Sequence, residues 1–446
     1  MTNTQIRKWL LLLLCFLIPL SATPVVELGI DTLVKFKFKG LEGKRVGLLT
    51  NQTGVNSRGV STIDILRNAK EVNLVALYSP EHGLYGAELA GDAVSDTKDV
   101  RTGLPVYSLH GATRKPTPAM MKGIDVLLYD LQDIGCRSYT YISTMGLAME
   151  AAGEAGVAFY VLDRPNPLGG NRVEGMPLDP AFRSFVGQWN IPYVYGLTPG
   201  ELAQMIVKEK WITKAPKLVI VPMGGWNREM VWSETGLVWV PTSPHIPMAE
   251  SCFHYVITGL IGELALVSTG VGYTQPFMLI GHPSFNSFEW ADRLNGKRLS
   301  GVTFRPAFYK PFYGSLKGQM CQGVQMHFWD FSKANLMQIS MNLMQEIRAR
   351  FGPTIYQGIV ADKISLYDKV CGGNSLRNHF TKGGSAQEIM ATWEPSLQAF
   401  RELRKKYLIY PLPIASSLPT TGTERSLSNP VSKTPIPPKP QKKEKP

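Results

Sequence analysis

An α/β fold is predicted: an open parallel sheet with helices on both faces, followed by a smaller α+β domain. Three observations predict it. Short β-rich runs alternate with helical stretches over residues 25–225. The runs are apolar on both faces, as in a sheet covered on each side. Beyond residue 300 the pattern changes to the alternation of a half-covered sheet.

The strand candidates of the first part are 45–49 (RVGLL), 73–78 (NLVALY), 124–129 (IDVLLY), 157–162 (VAFYVL) and 217–222 (KLVIVP). Helices are expected over 60–69, 117–122, 140–155 and 198–210. In the third of these, Met145, Ala148, Met149 and Ala152 share one side and form a core stripe. A second domain begins between Trp226 and Pro247, at the Pro- and aromatic-rich segment GLVWVPTSPHIP (236–247). Helix 249–265, strands within 302–331 and an amphipathic helix over 333–350 follow. The expected layout is a leader at 1–22, a catalytic domain at 25–230, an auxiliary domain at 231–412 and a tail at 413–446.

Both ends differ from the body. Arg7 and Lys8 precede an apolar run from Trp9 to Leu20, and Ser21 and Ala22 follow. This is the pattern of a secretory signal, and it implies export to the periplasm or cell envelope. From residue 414 the chain is rich in Pro, Ser, Thr and Lys and too poor in apolar residues to fold, so a disordered arm is expected. Its lysines contribute to a net charge of +12 and suit weak contact with anionic wall polymer or membrane surface. Outside the leader, Cys136, Cys252, Cys321 and Cys371 show no metal-type spacing and read as buried thiols.

Several function classes are excluded. No nucleic-acid module is recognisable. The turn after the first strand, TNQTGVNSRG, lacks GxGxxG, so no nucleotide cofactor is expected. His82, His110, His245, His254, His282, His327 and His379 lack the spacing of a metal site, so no metal is expected.

The chemistry is concentrated just after the strands. The first strand runs into Asn51 and Gln52, the second into Glu81 and His82, the third into Asp130, Gln132, Asp133 and Arg137, and the fourth into Asp163, Arg164 and Asn166. In a parallel sheet these ends share one rim, where ligands bind. Each cluster alone is an ordinary turn. Together they assemble groups that move protons and read hydroxyls, braced by Pro and Gly.

The residues carry a family resemblance. GLLTNQTGVNSRGVSTIDIL (47–66), LYSPEHGLYGAELAGDAV (77–94), TGLPVYSLHGATRKPTPAMM (102–121), DVLLYDLQDIGCRSYTYISTM (125–145) and VLDRPNPLGG (161–170) resemble the exo-β-N-acetylmuramidase family. So do SFVGQWNIPYVYGLTPGELAQM (184–205), VPMGGWNREM (221–230) and TWEPSLQAFRELRKKYLIYP (392–411). The resemblance implies a Rossmann-like domain plus a smaller auxiliary domain, with the active site in the cleft between them. It implies release of N-acetylmuramic acid from the non-reducing end of peptidoglycan fragments or muropeptides. It points to Glu81 of SPEHG as general acid, with His82 tuning it, and leaves Asp130 and Asp133 as alternatives for the second carboxylate. Asp163 is the weaker candidate, since it can pin the arginine beside it. Arg137 or Arg164 would face the lactyl carboxylate. Asn51, Gln52, Gln132 and Asn166 would read hydroxyl and amide groups, and His245 stands where the family has asparagine. Tyr193, Tyr195, Trp226, Trp232, Trp239 and Tyr273 are aromatic faces that either stack on sugar or pack.

One stretch departs from the family. In STGVGY (268–273), Thr269 replaces a glutamate and Val271 an arginine. If that pair contacts the sugar, its loss implies an altered substrate preference; if it is a structural ion pair, losing both members leaves nothing unpaired. The alternative expectation is a non-catalytic paralogue that binds wall sugars or scaffolds envelope proteins.

Overall fold

A computed structural model describes residues 25–411. The leader at 1–22 and the tail at 413–446 lie outside the described residues.

The first part builds a seven-stranded sheet from β1 (Arg45–Thr50), β2 (Asn73–Ser79), β3 (Thr97–Lys98), β4 (Pro105–Ser108), β5 (Val126–Asp130), β6 (Ala158–Leu162) and β7 (Leu218–Val221). The order is β3-β4-β2-β1-β5-β6-β7, and every pairing is parallel except β3 with β4. The five apolar runs all form strands. The added strands, β3 and β4, are too short to show a period, and both residues of β3 are exposed.

Burial on both faces explains the composition of the central strands. Val46, Leu48, Val126 and Leu128 point to one side, where Ile30 and Leu33 of α1 (Gly29–Lys35) and Leu66 of α2 (Thr62–Asn68) meet them. Leu49, Leu127 and Tyr129 point to the other. There they join a core that includes Met121 of α3 (Pro118–Met121), Met145 and Met149 of α4 (Tyr141–Ala155), and Leu202 and Met205 of α5 (Pro199–Lys208). α4 ends where Gly156 turns left-handed at φ 68° and bonds back to the last carbonyls. Gly146, within α4, lies flush against Trp189, and a Cβ there would come within 2.0 Å of its ring.

The C-terminal part contains α6 (Ser251–Gly262), β8 (Leu279–His282), α7 (Ser287–Gly296), β9 (Val302–Tyr309), β10 (Cys321–Phe328), α8 (Leu336–Phe351), α9 (Ala361–Cys371), α10 (Ser375–Thr381) and α11 (Ala386–Arg404). Its three strands form a separate antiparallel sheet, β8-β10-β9. α7 packs on β9 and β10, and α6 on α8. Nearly every position of α6 is buried, as expected of a helix covered all round. The core runs without a break from Leu49 and Tyr129 of the main sheet to Val256, Met344 and Trp393 of the C-terminal part. The chain end returns to the first part, where Tyr410 donates its hydroxyl to Asp163 (2.6 Å) and accepts from Met223 N (3.0 Å). Cys136, Cys252, Cys321 and Cys371 are buried free thiols. Tyr193, Tyr195, Trp226 and Trp232 are buried packing residues, whereas Trp239 and Tyr273 are only partly covered.

Candidate active site

The parallel register brings Thr50 opposite Asp130 and Ser79 opposite Ser108, so the strand ends share one rim. The chain runs from β1 outward to β2 and β4, then returns to β5 on the other side of β1. That reversal opens a crevice, the usual ligand position in such a sheet. Here the protein's own groups fill it. Asp130 accepts from Arg164 Nε (2.6 Å) and Thr62 Oγ1 (2.5 Å), with both members of the ion pair sealed from solvent. Arg164 also donates to Val55 O (2.6 Å). Asn51 accepts from Thr53 and donates to the Tyr141 hydroxyl (2.9 Å). Gln132 donates to Asp133 O and Pro165 O (2.8 Å each), leaving Oε1 without a partner.

Other predicted readers also spend their groups internally. Asn166 holds Leu197 O and Leu168 N. Asp163 accepts from Arg164 N, Gly200 N, Thr198 Oγ1 and Tyr410, which fastens the start of α5. It therefore pins the backbone of Arg164 and not its guanidinium, which Asp130 holds. Arg137 is fully buried and donates to Met176 O (2.7 Å), Ile191 O (2.9 Å) and Val370 O (3.3 Å). Burial lowers it to about 10, and no solvent path leads to its donors. Gln52 bridges to Pro241 O (2.8 Å) in the segment between the two parts.

Asp133 is also sealed. Oδ2 accepts from Gly135 N (2.7 Å) and Tyr195 (2.5 Å), whereas Oδ1 has no partner. Burial raises its carboxyl to about 6, against the bonds from Tyr195 and Gly135. A raised carboxyl stabilises the fold below its unfolded value and loses that contribution as pH rises through the folded value. The loss spans about pH 4 to 6 and is up to about 3 kcal/mol. Asp133→Asn is therefore expected to equal the parent near pH 4 and exceed it in stability near pH 7. Urea melts at both values check this, and a difference that does not grow with pH would refute it.

The open part of the rim lies after β2 and β4. Glu81 is 12% exposed. Its Oε2 accepts from Thr140 Oγ1 (2.7 Å), at the start of α4, and Oε1 accepts from Gly91 N (2.9 Å). His110 Nε2, from the turn after β4, lies 3.7 Å from Oε1. Burial lowers the His110 pKa, and the Arg114 and His82 charges push the same way against Glu81. His82 stands in the left-handed region at φ 72°, a conformation that strains a side-chain-bearing residue. Its Nδ1 donates to Glu88 O (2.8 Å), which fixes the ring's orientation.

The C-terminal part supplies the facing groups. His245 bonds the Tyr313 hydroxyl, and burial lowers its pKa, with His82 adding to the shift. Glu263, just after α6, accepts no hydrogen bond from any described residue. Burial raises its pKa; the Lys363 charge opposes that rise and the Glu81 charge adds to it. Thr269 and Val271 line a cavity of about 260 Å³ with Tyr313 and Lys363. Among the described residues, no buried polar side-chain atom over 268–271 lacks a partner, so Thr269 and Val271 leave no orphan. A larger cavity of about 570 Å³, lined by Asn190, Asn374 and Trp393 among others, contains none of the predicted residues.

Of the predicted residues, Glu81, His82 and His245 thus stand near one another outside the buried rim formed by Asn51, Asp130, Gln132, Asp133, Asp163, Arg164 and Asn166. The sequence reading missed Thr140, His110 and Glu263. His110 follows a strand too short to register. Thr140 and Glu263 flank helices, and only the tertiary fold turns them toward Glu81.

Comparison with known proteins follows the same outline. Residues 46–250 match the family model described as exo-beta-N-acetylmuramidase NamZ, N-terminal, and residues 253–410 match its C-terminal counterpart. The peptidoglycan beta-N-acetylmuramidase NamZ of Bacillus subtilis (strain 168) is 44% identical over 387 residues, covering 87% of this chain and 92% of that protein. A DUF1343 family crystal structure from Bacteroides fragilis NCTC 9343 (BF0371) is similar at 48% identity and a TM-score of 0.82, covering 86% of this chain and 99% of that one. A second from the same organism (BF0379) gives 29% identity and a TM-score of 0.70, with the same coverage.

Proposed function

The chain belongs to the exo-beta-N-acetylmuramidase NamZ family, and on that premise we propose that it is a glycosidase releasing N-acetylmuramic acid from the non-reducing end of peptidoglycan fragments. The observation that carries the reading is Glu81, partly exposed at the rim and braced by Thr140 and Gly91. Glu81 gives its proton to the bridging oxygen as the bond to the sugar's anomeric carbon breaks, and the electron pair stays on the leaving oxygen. Water supplies the hydroxyl at the anomeric carbon, and its remaining proton passes to the second carboxylate, from which Glu81 is reprotonated through solvent.

For the second carboxylate we favour Glu263 over Asp130 and Asp133. Those two are engaged or sealed, whereas Glu263 is unbonded and lies within the field of Glu81. Glu263→Gln is expected to cut turnover about a hundredfold or more while leaving thermal stability near that of the parent. Unchanged turnover would return the second role to Asp133.

The test of the whole reading is dye release from a chromogenic N-acetylmuramic acid glycoside. Release by the parent protein supports it. No release from any amino-sugar glycoside, alongside retained muropeptide binding, would mark a binding protein. The activity belongs in the cell envelope, in keeping with a leader at 1–22 and a basic tail suited to anionic wall or membrane surfaces.

A further inference from the structure

A muramic sugar differs from N-acetylglucosamine by a lactyl carboxylate, so a site selecting it needs a cation that is free to bond. Arg137 and Arg164 are both spent on internal acceptors. Lys115 is paired with Glu150 (2.9 Å) and Glu154 (2.7 Å) of α4. These bonds, with the turn closed by Thr113 Oγ1 on Lys115 O (2.6 Å), fix the backbone on either side of Arg114.

Arg114 itself is exposed, and its guanidinium makes no hydrogen bond or ion pair with any described residue. It lies over the ring of Phe185, 4.3 Å from the centroid, and Phe185 is buried. The Phe185 and His110 rings are 6.0 Å apart, which puts Arg114 within about 10 Å of the imidazole beside Glu81. The cation–π contact holds the guanidinium against the ring, and its N–H groups, which bond no described residue, are free to receive a carboxylate through two parallel bonds.

We propose that Arg114, stacked on Phe185 beside the His110–Glu81 pair, receives the lactyl carboxylate and is the residue by which the site distinguishes muramic acid from N-acetylglucosamine. The inference rests on the function proposed above and deepens it. Lys363 is the rival cation. It lines the cavity with Thr269, but it already has the Glu263 carboxylate in its field.

The experiment compares parent, Arg114→Ala, Arg114→Lys and Lys363→Ala on three chromogenic glycosides: N-acetylmuramic acid, its lactyl amide and N-acetylglucosamine. Arg114→Ala is expected to raise KM for the first about tenfold to a hundredfold and to leave the other two as in the parent. Arg114→Lys should recover part of the loss, because charge returns without the fork. An unchanged preference in Arg114→Ala, or its loss in Lys363→Ala alone, overturns the assignment while the activity stands. If the parent releases nothing from any glycoside, the function fails separately. Calorimetric binding of N-acetylmuramic acid against N-acetylglucosamine then decides the role of Arg114: a parent preference erased by Arg114→Ala upholds it, and any other result overturns it.

Discussion

Glu81→Gln is expected to reduce hydrolysis of a natural muramic disaccharide by about a thousandfold, within the range that general acids contribute. The amide can still accept from Thr140 or Gly91, so the side chain stays where it is, but it has no proton to give. The leaving group reports the role. A sugar alkoxide needs protonation, whereas a nitrophenolate departs readily without it. The variant should therefore retain far more activity on a nitrophenyl glycoside than on the disaccharide. An equal loss on both would assign Glu81 to positioning, and no loss on either would remove it from the mechanism. Thermal stability should fall by no more than about 1 kcal/mol, because the amide keeps one of the two hydrogen bonds.

Asp130→Ala should have the opposite signature, a loss of about 3–5 kcal/mol in folding free energy. The substitution strips the Arg164 guanidinium, itself 2% exposed, of its carboxylate and leaves a buried unpaired charge. It also orphans the Thr62 hydroxyl that fixes the first turn of α2. A double variant, Asp130→Leu with Arg164→Met, should regain much of the loss, because an apolar pair leaves no charge to solvate. Urea unfolding measures both. A stable, soluble Asp130→Ala protein that has lost only turnover would overturn this reading and return Asp130 to the chemistry.

Much of the architecture is legible without coordinates, because a two-sided apolar strand such as 124–129 reports its own burial. The same reasoning fails at β4, whose four residues carry no period, and so it overlooks His110. The rim was legible as a place but not in its division of labour. Asn51, Asp163 and Asn166 are drawn to strand ends by sugar binding and by turn formation alike, since both use the same acceptors and donors. Residue type does not say which use prevails. The partner does, and partners such as Leu197, Thr198 and Tyr141 are brought by tertiary contact. The arginines show this most clearly. Position in a motif singles out Arg137 and Arg164, yet Arg114, whose guanidinium bonds no described residue, lies nearer the His110–Glu81 pair through Phe185, 71 residues away in sequence.

The single apolar interior shared by the main sheet and α6, α8 and α11 governs how such a chain can change over evolutionary time. A cut near residue 250 would leave two pieces, each with an uncovered greasy face and neither able to mature alone. Crossovers between relatives at that point would join surfaces that had not been fitted to each other. Exposed loops can accept changes one residue at a time, whereas the facing surfaces of the two halves must change together.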